Sequence, residues 1–366
     1  MHFVKHILAL AGAAALALAA KAAVVDELVY HDLRSFPLIG TLAPDASEAY
    51  TRLPDSLQGR VRDELWNLGL NSAGLAVRFR TDSPRLAAEW HSRNKFNMNH
   101  MTATGIRGLD LYVLTPDSQW TTVSSARPAF HNHHSRSLMV TDMQPGVMRE
   151  YMLYLSLYDG VDTLRIGIDS TATLALPAVD LPRRQKPVVV YGTSIVQGGC
   201  ATRPGMVHTS ILERLLQREV VNLGFSGNAR LDPEIAALMA QADASVYVLD
   251  PLPNCSPERV DTAMVPFVRI IRARRPSTPI VLVESPIFPI ARFNTEVAAT
   301  LAAKNAVLRR IYNELKAAGD ENLYYFEAKD IVGDNPEVTV DNYHFTDTGF
   351  DLFARSLAPL IRQFTE

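Results

Sequence analysis

Apolar and polar positions change their rhythm once along this chain, near residue 180. From about residue 28 to 178 the apolar residues come in short alternating runs, such as Leu75-Ala-Val-Arg-Phe-Arg80, Leu109-Asp-Leu-Tyr-Val113, Tyr151-Met-Leu-Tyr-Leu155 and Thr163-Leu-Arg-Ile-Gly-Ile168. Turn formers separate them, among them Thr81-Asp-Ser-Pro84, Thr115-Pro-Asp-Ser118 and Asp159-Gly160. Alternation with period two, broken by such turns, predicts antiparallel strands with one face on a core. A helical stretch is expected to interrupt them near residues 54–68. This first region, residues 28–180, is therefore expected to be a β-sandwich of jelly-roll type.

The polar, proline-bounded segment Leu181-Pro-Arg-Arg-Gln-Lys-Pro187 reads as a linker. Beyond it the apolar runs become continuous: Val188-Val-Val-Tyr191, Val220-Val-Asn-Leu223, Ser245-Val-Tyr-Val-Leu249, Ile280-Val-Leu-Val283 and Leu323-Tyr-Tyr-Phe326. Strands buried on both faces look like this. Helical patterns lie between them, at Ser210–Leu216, from Ser256-Pro257 to about Arg274, from Thr295 to about Ala318, and from Thr346 to Phe364. Ser256 suits a helix cap and Pro257 the first helical turn. Five alternations of strand and helix predict an α/β region over residues 187–366, a five-stranded parallel sheet between two helical layers.

The first 22 residues follow neither rhythm. Lys5 and His6 precede an apolar run from Ile7 to Ala20, and Ala20-Lys21-Ala22 resembles a cleavage site. These features predict a secretory signal peptide, too short for a comfortable membrane span, and a secreted or periplasmic protein with no integral membrane span after cleavage. The remainder is long enough for two domains at roughly 150 residues each. Charge is nearly balanced, 36 basic residues against 39 acidic, and no basic stripe with interleaved aromatics suggests a nucleic-acid partner. There are two cysteines, Cys200 and Cys255, which exclude a disulfide scaffold and a Cys-rich zinc site but leave a single bridge open.

In open α/β sheets functional groups gather beyond the carboxyl ends of the strands. After the first such strand comes Tyr191-Gly-Thr-Ser-Ile-Val-Gln-Gly-Gly199, where Ser194 is either a nucleophile on a tight strand-to-helix turn or a plain helix cap. After the second comes Gly224-Phe-Ser-Gly-Asn228, in which Gly227 could aim an N–H at an anion. After the third, Asp250-Pro-Leu-Pro-Asn254 offers the Asn254 amide. Just before the last helix stands Asp341-Asn-Tyr-His344, a carboxylate three residues from an imidazole it could orient. A nucleophile, a base and an orienting acid are what acyl transfer needs.

The order of these four blocks resembles the SGNH (GDSL-like) hydrolase superfamily over residues 187–365. The resemblance implies a flavodoxin-like three-layer fold and serine esterase activity without a cofactor or metal. It implies Ser194 as nucleophile, Asp341 and His344 as the rest of a triad, and the Ser194 N–H, Gly227 and Asn254 as oxyanion hole. The usual Gly-Asp-Ser-Leu reads Gly192-Thr-Ser-Ile195 here, which changes a neighbour of the serine and no triad member. Gly108-Leu-Asp-Leu-Tyr112 and Asn222-Leu-Gly-Phe-Ser-Gly227 are similar to a two-domain subgroup with an N-terminal Gly-x-Asp-Leu-Tyr β domain. Its layout is similar to that of carbohydrate esterases, so the expected substrate is an acylated, specifically acetylated, small molecule or polysaccharide. A lysophospholipase or thioesterase, a carbohydrate-binding protein and an acetyltransferase are the alternatives.

Other features carry less. His131-Asn-His-His134 could hold a metal but lies in a polar stretch without acidic partners. His208 falls on a predicted helix and is a weaker base candidate than His344. Asn99-His-Met-Thr102 could reach the mouth of the site, though an ordinary loop explains it as well.

Overall fold

The computed structural model of the chain describes residues 24–333 and 335–365. The expected signal peptide, residues 1–22, lies outside these residues. No helix among the described residues is long and apolar enough to cross a membrane.

The N-terminal region forms two antiparallel sheets. One has the order Val29–Asp32, Val161–Ile168, Leu86–Ser92, His134–Val140. The other runs Leu174–Ala175, Ala76–Thr81, Arg149–Tyr154, Leu109–Leu114, Trp120–Ala126, with Leu38–Ile39 also paired to Ala76–Thr81. Inward positions of both sheets meet in one core, with Val77, Phe79 and Leu153 from one sheet against Ala88, Trp90 and Ile166 from the other. That is the packing the alternating runs require. The expected helix near residues 54–68 is a short 3-10 turn, Asp55–Leu57, followed by the helix Asp63–Gly69.

The C-terminal region is a parallel sheet of five strands ordered Arg218–Gly224, Arg183–Gly192, Val246–Asp250, Ile280–Val283, Leu323–Phe326. The first strand in sequence lies second in space, which is the flavodoxin-like order and sets a switch point beside Gly192. Alternate residues of each strand enter different cores. Val188, Val190, Val246 and Val248 pack under the helices His208–Leu216 and Asp347–Arg362. Val189, Tyr191, Tyr247 and Leu249 pack under Pro233–Met239 and Pro257–Arg274. Residues 183–187, expected as a linker, already belong to the first strand: Arg183 pairs with Arg218 before the register shifts at Val188.

The two regions are locked by buried polar groups. Asp110 of the Gly-x-Asp-Leu-Tyr run is fully buried and accepts from Arg203 Nη1 at 2.5 Å, Gly205 N at 2.9 Å and Ser125 Oγ at 3.1 Å. Burial raises its pKa although Arg203 and these donors work the other way. Gly205 sits so close to Tyr112 that a Cβ there would lie 2.4 Å from the phenol oxygen. Arg52, also fully buried, faces no carboxylate. Its guanidinium donates to the carbonyls of Leu68, Asn71 and Gly224 at 2.5, 2.9 and 2.6 Å, and burial lowers its pKa to about 9.

Candidate active site

Ser194 opens the short helix Ser194–Gln197 straight after the first parallel strand. Thr193 caps this helix, its Oγ1 accepting from Ile195 N at 3.3 Å. Thr346 caps the last helix, so the segment before it turns back towards the sheet edge. That segment carries Asp341 and His344. His344 Nε2 lies 2.8 Å from Ser194 Oγ, and His344 Nδ1 lies 2.7 Å from Asp341 Oδ2. The other carboxylate oxygen accepts from the backbone N–H of His344 at 2.8 Å and of Tyr343 at 3.2 Å. Burial acts to raise the Asp341 pKa. The bonds from the His344 N–H and ring outweigh it and hold the carboxyl below the usual carboxylate range. The three side chains form one hydrogen-bonded chain ending on the serine hydroxyl.

Ser194, Gly227, Asn254 and His344 all line a cavity of about 530 Å³ at the carboxyl edge of the sheet. Gly227 adopts φ +67°, in the region that favours glycine, and a Cβ there would meet open space. Among the described residues the N–H groups of Ser194 and Gly227 have no backbone partner. Asn254 Oδ1 accepts from Ala229 N at 3.3 Å, which fixes the amide and leaves its Nδ2 for the cavity. These donors, set around one serine hydroxyl, can receive a developing oxyanion.

The far wall was not read from the sequence. It is Phe288 from a loop after the fourth strand, Val297 and Leu301 from the helix Thr295–Ala317, and the polar Glu296, Lys304 and Ser285. Ser285 follows the strand Ile280–Val283, so the strand-end rule could have marked it. The segment around His100 does reach Asp341 and His344. His100 Nε2 is 3.8 Å from Asp341 Oδ2, and its ring centre is 5.6 Å from that of His344.

The remaining candidates lie elsewhere. His208 is buried, stacked 4.6 Å from Phe353, and burial drops its pKa to about 3. His133 holds the Ser92 carbonyl at 2.6 Å and stacks on His91. Cys200 and Cys255 are free and buried, and they pack into opposite faces of the parallel sheet, which rules out a bridge between them. Among the described residues the one group of donors spaced for a metal is His100, Cys200, Asp341 and His344, within 4.8 Å of one another. Asp341 and His344 are committed to each other, and burial pushes the Cys200 thiol up to about 12, so the set is poorly suited to giving a thiolate ligand.

The GDSL-like lipase/acylhydrolase family model matches residues 185–362, and a model of the Gly-x-Asp-Leu-Tyr N-terminus of SGNH-hydrolase-type esterases matches residues 28–174. A GDSL-like lipase structure from Bacteroides ovatus is 30% identical, with a TM-score of 0.86 over 92% of this chain and 98% of that one. The chain belongs to the GDSL-like lipase/acylhydrolase family. It is a carboxylic ester hydrolase of that family. A salicylyl-acyltransferase from a tetracycline biosynthetic pathway shares the fold at 19% identity and a TM-score of 0.70, over 90% of this chain and 95% of that one. A family two carbohydrate esterase from Cellvibrio japonicus shares it at 18% and 0.55, over 80% and 89%. No curated protein matches the chain.

Proposed function

We propose that this GDSL-like hydrolase is an exported esterase that removes small acyl groups, acetyl above all, from carbohydrate esters. Ser194, His344 and Asp341 act as its triad. The hydrogen-bonded chain from Asp341 through His344 to Ser194 Oγ, at the mouth of a cavity that also holds Gly227 and Asn254, carries this reading. Ser194 Oγ attacks the ester carbonyl carbon while its proton passes to His344 Nε2. The carbonyl electron pair moves onto oxygen, which takes hydrogen bonds from the N–H groups of Ser194 and Gly227 and from Asn254 Nδ2. Collapse breaks the bond to the alcohol, and His344 gives that oxygen the proton. Water then attacks the acyl-serine with His344 again as base, releasing the carboxylic acid.

Glu296 and Lys304 in the cavity wall disfavour a long alkyl chain there and support a small acyl group. The apolar side chains of Ile195, Phe288, Val297 and Leu301 favour the competing reading, a hydrolase of longer acyl chains. The sugar half of the proposal draws on the two-domain layout shared with the Cellvibrio japonicus carbohydrate esterase, an analogy of fold. Hydrolysis rates over p-nitrophenyl esters from acetyl to octanoyl, together with acetylated xylo-oligosaccharide, test it. Acetyl esters are expected to react fastest, and a preference for octanoyl would overturn the small-acyl reading.

A further inference from the structure

A second cavity, of about 440 Å³, lies on the other side of the turn that carries Gly227. The two cavities share Ser226 in their walls. This one is built across the domain seam. Leu68 and Asn71 come from the end of the helix Asp63–Gly69 and its exit, and Asn94, Phe96 and Met98 from a loop of the N-terminal region. Tyr158, Ser226 and Asn228 close it. Its size is within the roughly 300–1,000 Å³ of small-ligand sites, and it lies where such sites concentrate, at a domain boundary beside the switch point of the sheet.

Three features of its lining point to a ligand. Asn71 is only 7% exposed, yet its side-chain amide has no hydrogen-bond partner, and its remaining exposure is in this cavity wall. Its polar atoms stay open to solvent there, so a ligand on them replaces water and not a protein partner. Asn67 and Asn94, around the same cavity, are exposed, and among the described residues their side chains make no hydrogen bond, which leaves both amides to solvent or a ligand. Phe96 is 44% exposed beside them, with Leu68 and Met98 as apolar floor.

The walls of this cavity are held rigidly. Arg52 ties the Leu68 and Asn71 carbonyls to that of Gly224, and Arg62 holds Asn228 through Oδ1 at 2.6 Å and its carbonyl at 3.0 Å. The backbone that carries Leu68 and Asn71, and the side chain of Asn228, therefore stand at fixed positions relative to the Gly227 turn, which preorganises that part of the wall.

We infer that this cavity is the subsite for the alcohol half of the ester, and that it takes a neutral pyranoside ring. Each free amide offers both a donor and an acceptor, which suits vicinal hydroxyl groups, and Phe96 offers a flat apolar face for the C–H side of a sugar ring. Glu64 is the one charged side chain of the lining, so a phosphate headgroup would find no cation there. The inference rests on the esterase reading of Ser194 and adds to it which side of the serine binds the sugar, and that the N-terminal region supplies the contacts.

The test compares acetylated xylo-oligosaccharide with p-nitrophenyl acetate, both on the full chain. For Phe96→Ala the ratio of kcat/KM on the sugar ester to that on the aryl ester is expected to fall about 10-fold, the scale of one lost stacking contact. For Asn67→Ala it is expected to fall about 3- to 5-fold, through KM. Both residues are exposed at the rim, so folding is not at risk, and thermal melts check it. An unchanged ratio in both variants overturns the subsite. So does a wild-type protein that shows no selectivity for the sugar ester, while its cleavage of p-nitrophenyl acetate would leave the Ser194 assignment standing. Loss of aryl-ester cleavage with an intact ratio would mean that these residues act on the triad and not on the sugar.

Discussion

The two sides of the cleft around Ser194 are made in different ways. On the side proposed above for the acyl group, the wall comes from one region of the chain, from strand ends and from one helix, Thr295–Ala317. On the other side it is assembled across a seam, from loops of a β-sandwich pressed against the sheet edge by Arg52, Arg62 and Asp110. The first kind of wall depends on local chain geometry and tolerates changes far away. The second exists only while two independently patterned regions stay docked. Chemistry should therefore respond to substitutions on the acyl side, and selectivity and stability to substitutions in the seam.

The largest effect expected is on the acyl side. Ser194→Ala should cost about 10⁴-fold or more in kcat, leaving the residual rate of binding and the oxyanion donors. The melting temperature should hold, because the Ser194 hydroxyl is in the cavity wall and its one side-chain bond is to His344. A variant keeping a few per cent of wild-type activity with the same pH profile would remove Ser194 from the mechanism.

Next is Asn254→Ala, expected to lower kcat about 10²- to 10³-fold with a smaller change in KM, since its amide acts on charge that develops during reaction. The reverse pattern, a raised KM at constant kcat, would turn Asn254 into a substrate-binding residue.

These two residues were legible because the parallel sheet announces itself. Val188-Val-Val-Tyr191 and its four counterparts are continuous apolar runs, and function in such sheets follows the strand ends. The seam was not legible in this way. Arg52 is a buried cation whose partners are all backbone carbonyls, two of them 16 and 19 residues away and two more 170 and 172, and no spacing rule links them. Asp110 did leave a trace. It stands in the Gly-x-Asp-Leu-Tyr run, but an acid between two leucines in an alternating strand reads as solvent-facing, and nothing in the strand says that it is buried or that its partner is Arg203. Cys200 and Cys255 both follow candidate site blocks, and only the sheet between them shows that they face away from each other.

Asp110→Ala breaks the seam at its most buried point. It would leave Arg203 without its carboxylate and Gly205 N without an acceptor, and it is expected to destabilise the chain by about 3 kcal/mol. Urea unfolding measures this. If the seam is a single cooperative unit with both domains, the transition shifts as one. A new early transition would mean that the sandwich undocks before the parallel sheet unfolds.

Glu213 holds the same seam with an uncharged contact, which makes it pH-dependent. Its carboxyl accepts from Tyr154 Oη at 2.7 Å and from Val220 N at 3.1 Å, and burial pushes its pKa up to about 8 from 4.5. The folded chain thus binds this proton more tightly than the unfolded chain. Its contribution is complete below pH 4.5 and is lost as pH rises towards 8. Glu213→Gln cannot ionise, so the decline in stability between pH 5 and 8.5 should flatten by about 1–3 kcal/mol. Glu219, pushed up to about 7 by burial, keeps its own share of the slope in both proteins. Parallel stability curves for variant and wild type would remove Glu213 as a source of the pH dependence.

The smallest effect expected is at the point where the seam touches the triad itself. His100 belongs to the N-terminal region, and its Nε2 stands 3.8 Å from the same Asp341 oxygen that receives the His344 ring. Its Nδ1 is 3.1 Å from Asn99 Oδ1, which limits the directions the ring can take. At that separation His100 does not compete for the short bond to His344, but it fills the space behind Asp341 and restricts the carboxylate. Both side chains are about one-third exposed and 3.8 Å apart, so the contact is a weak one. His100→Ala should therefore lower kcat about 2- to 5-fold, with KM and melting temperature unchanged, and His100→Gln should recover part of the loss. If KM rises instead and kcat holds, His100 serves the sugar side of the cleft and belongs with Phe96. If neither constant moves, the triad is complete within the parallel-sheet region, and the seam contributes to selectivity and stability without reaching the chemistry.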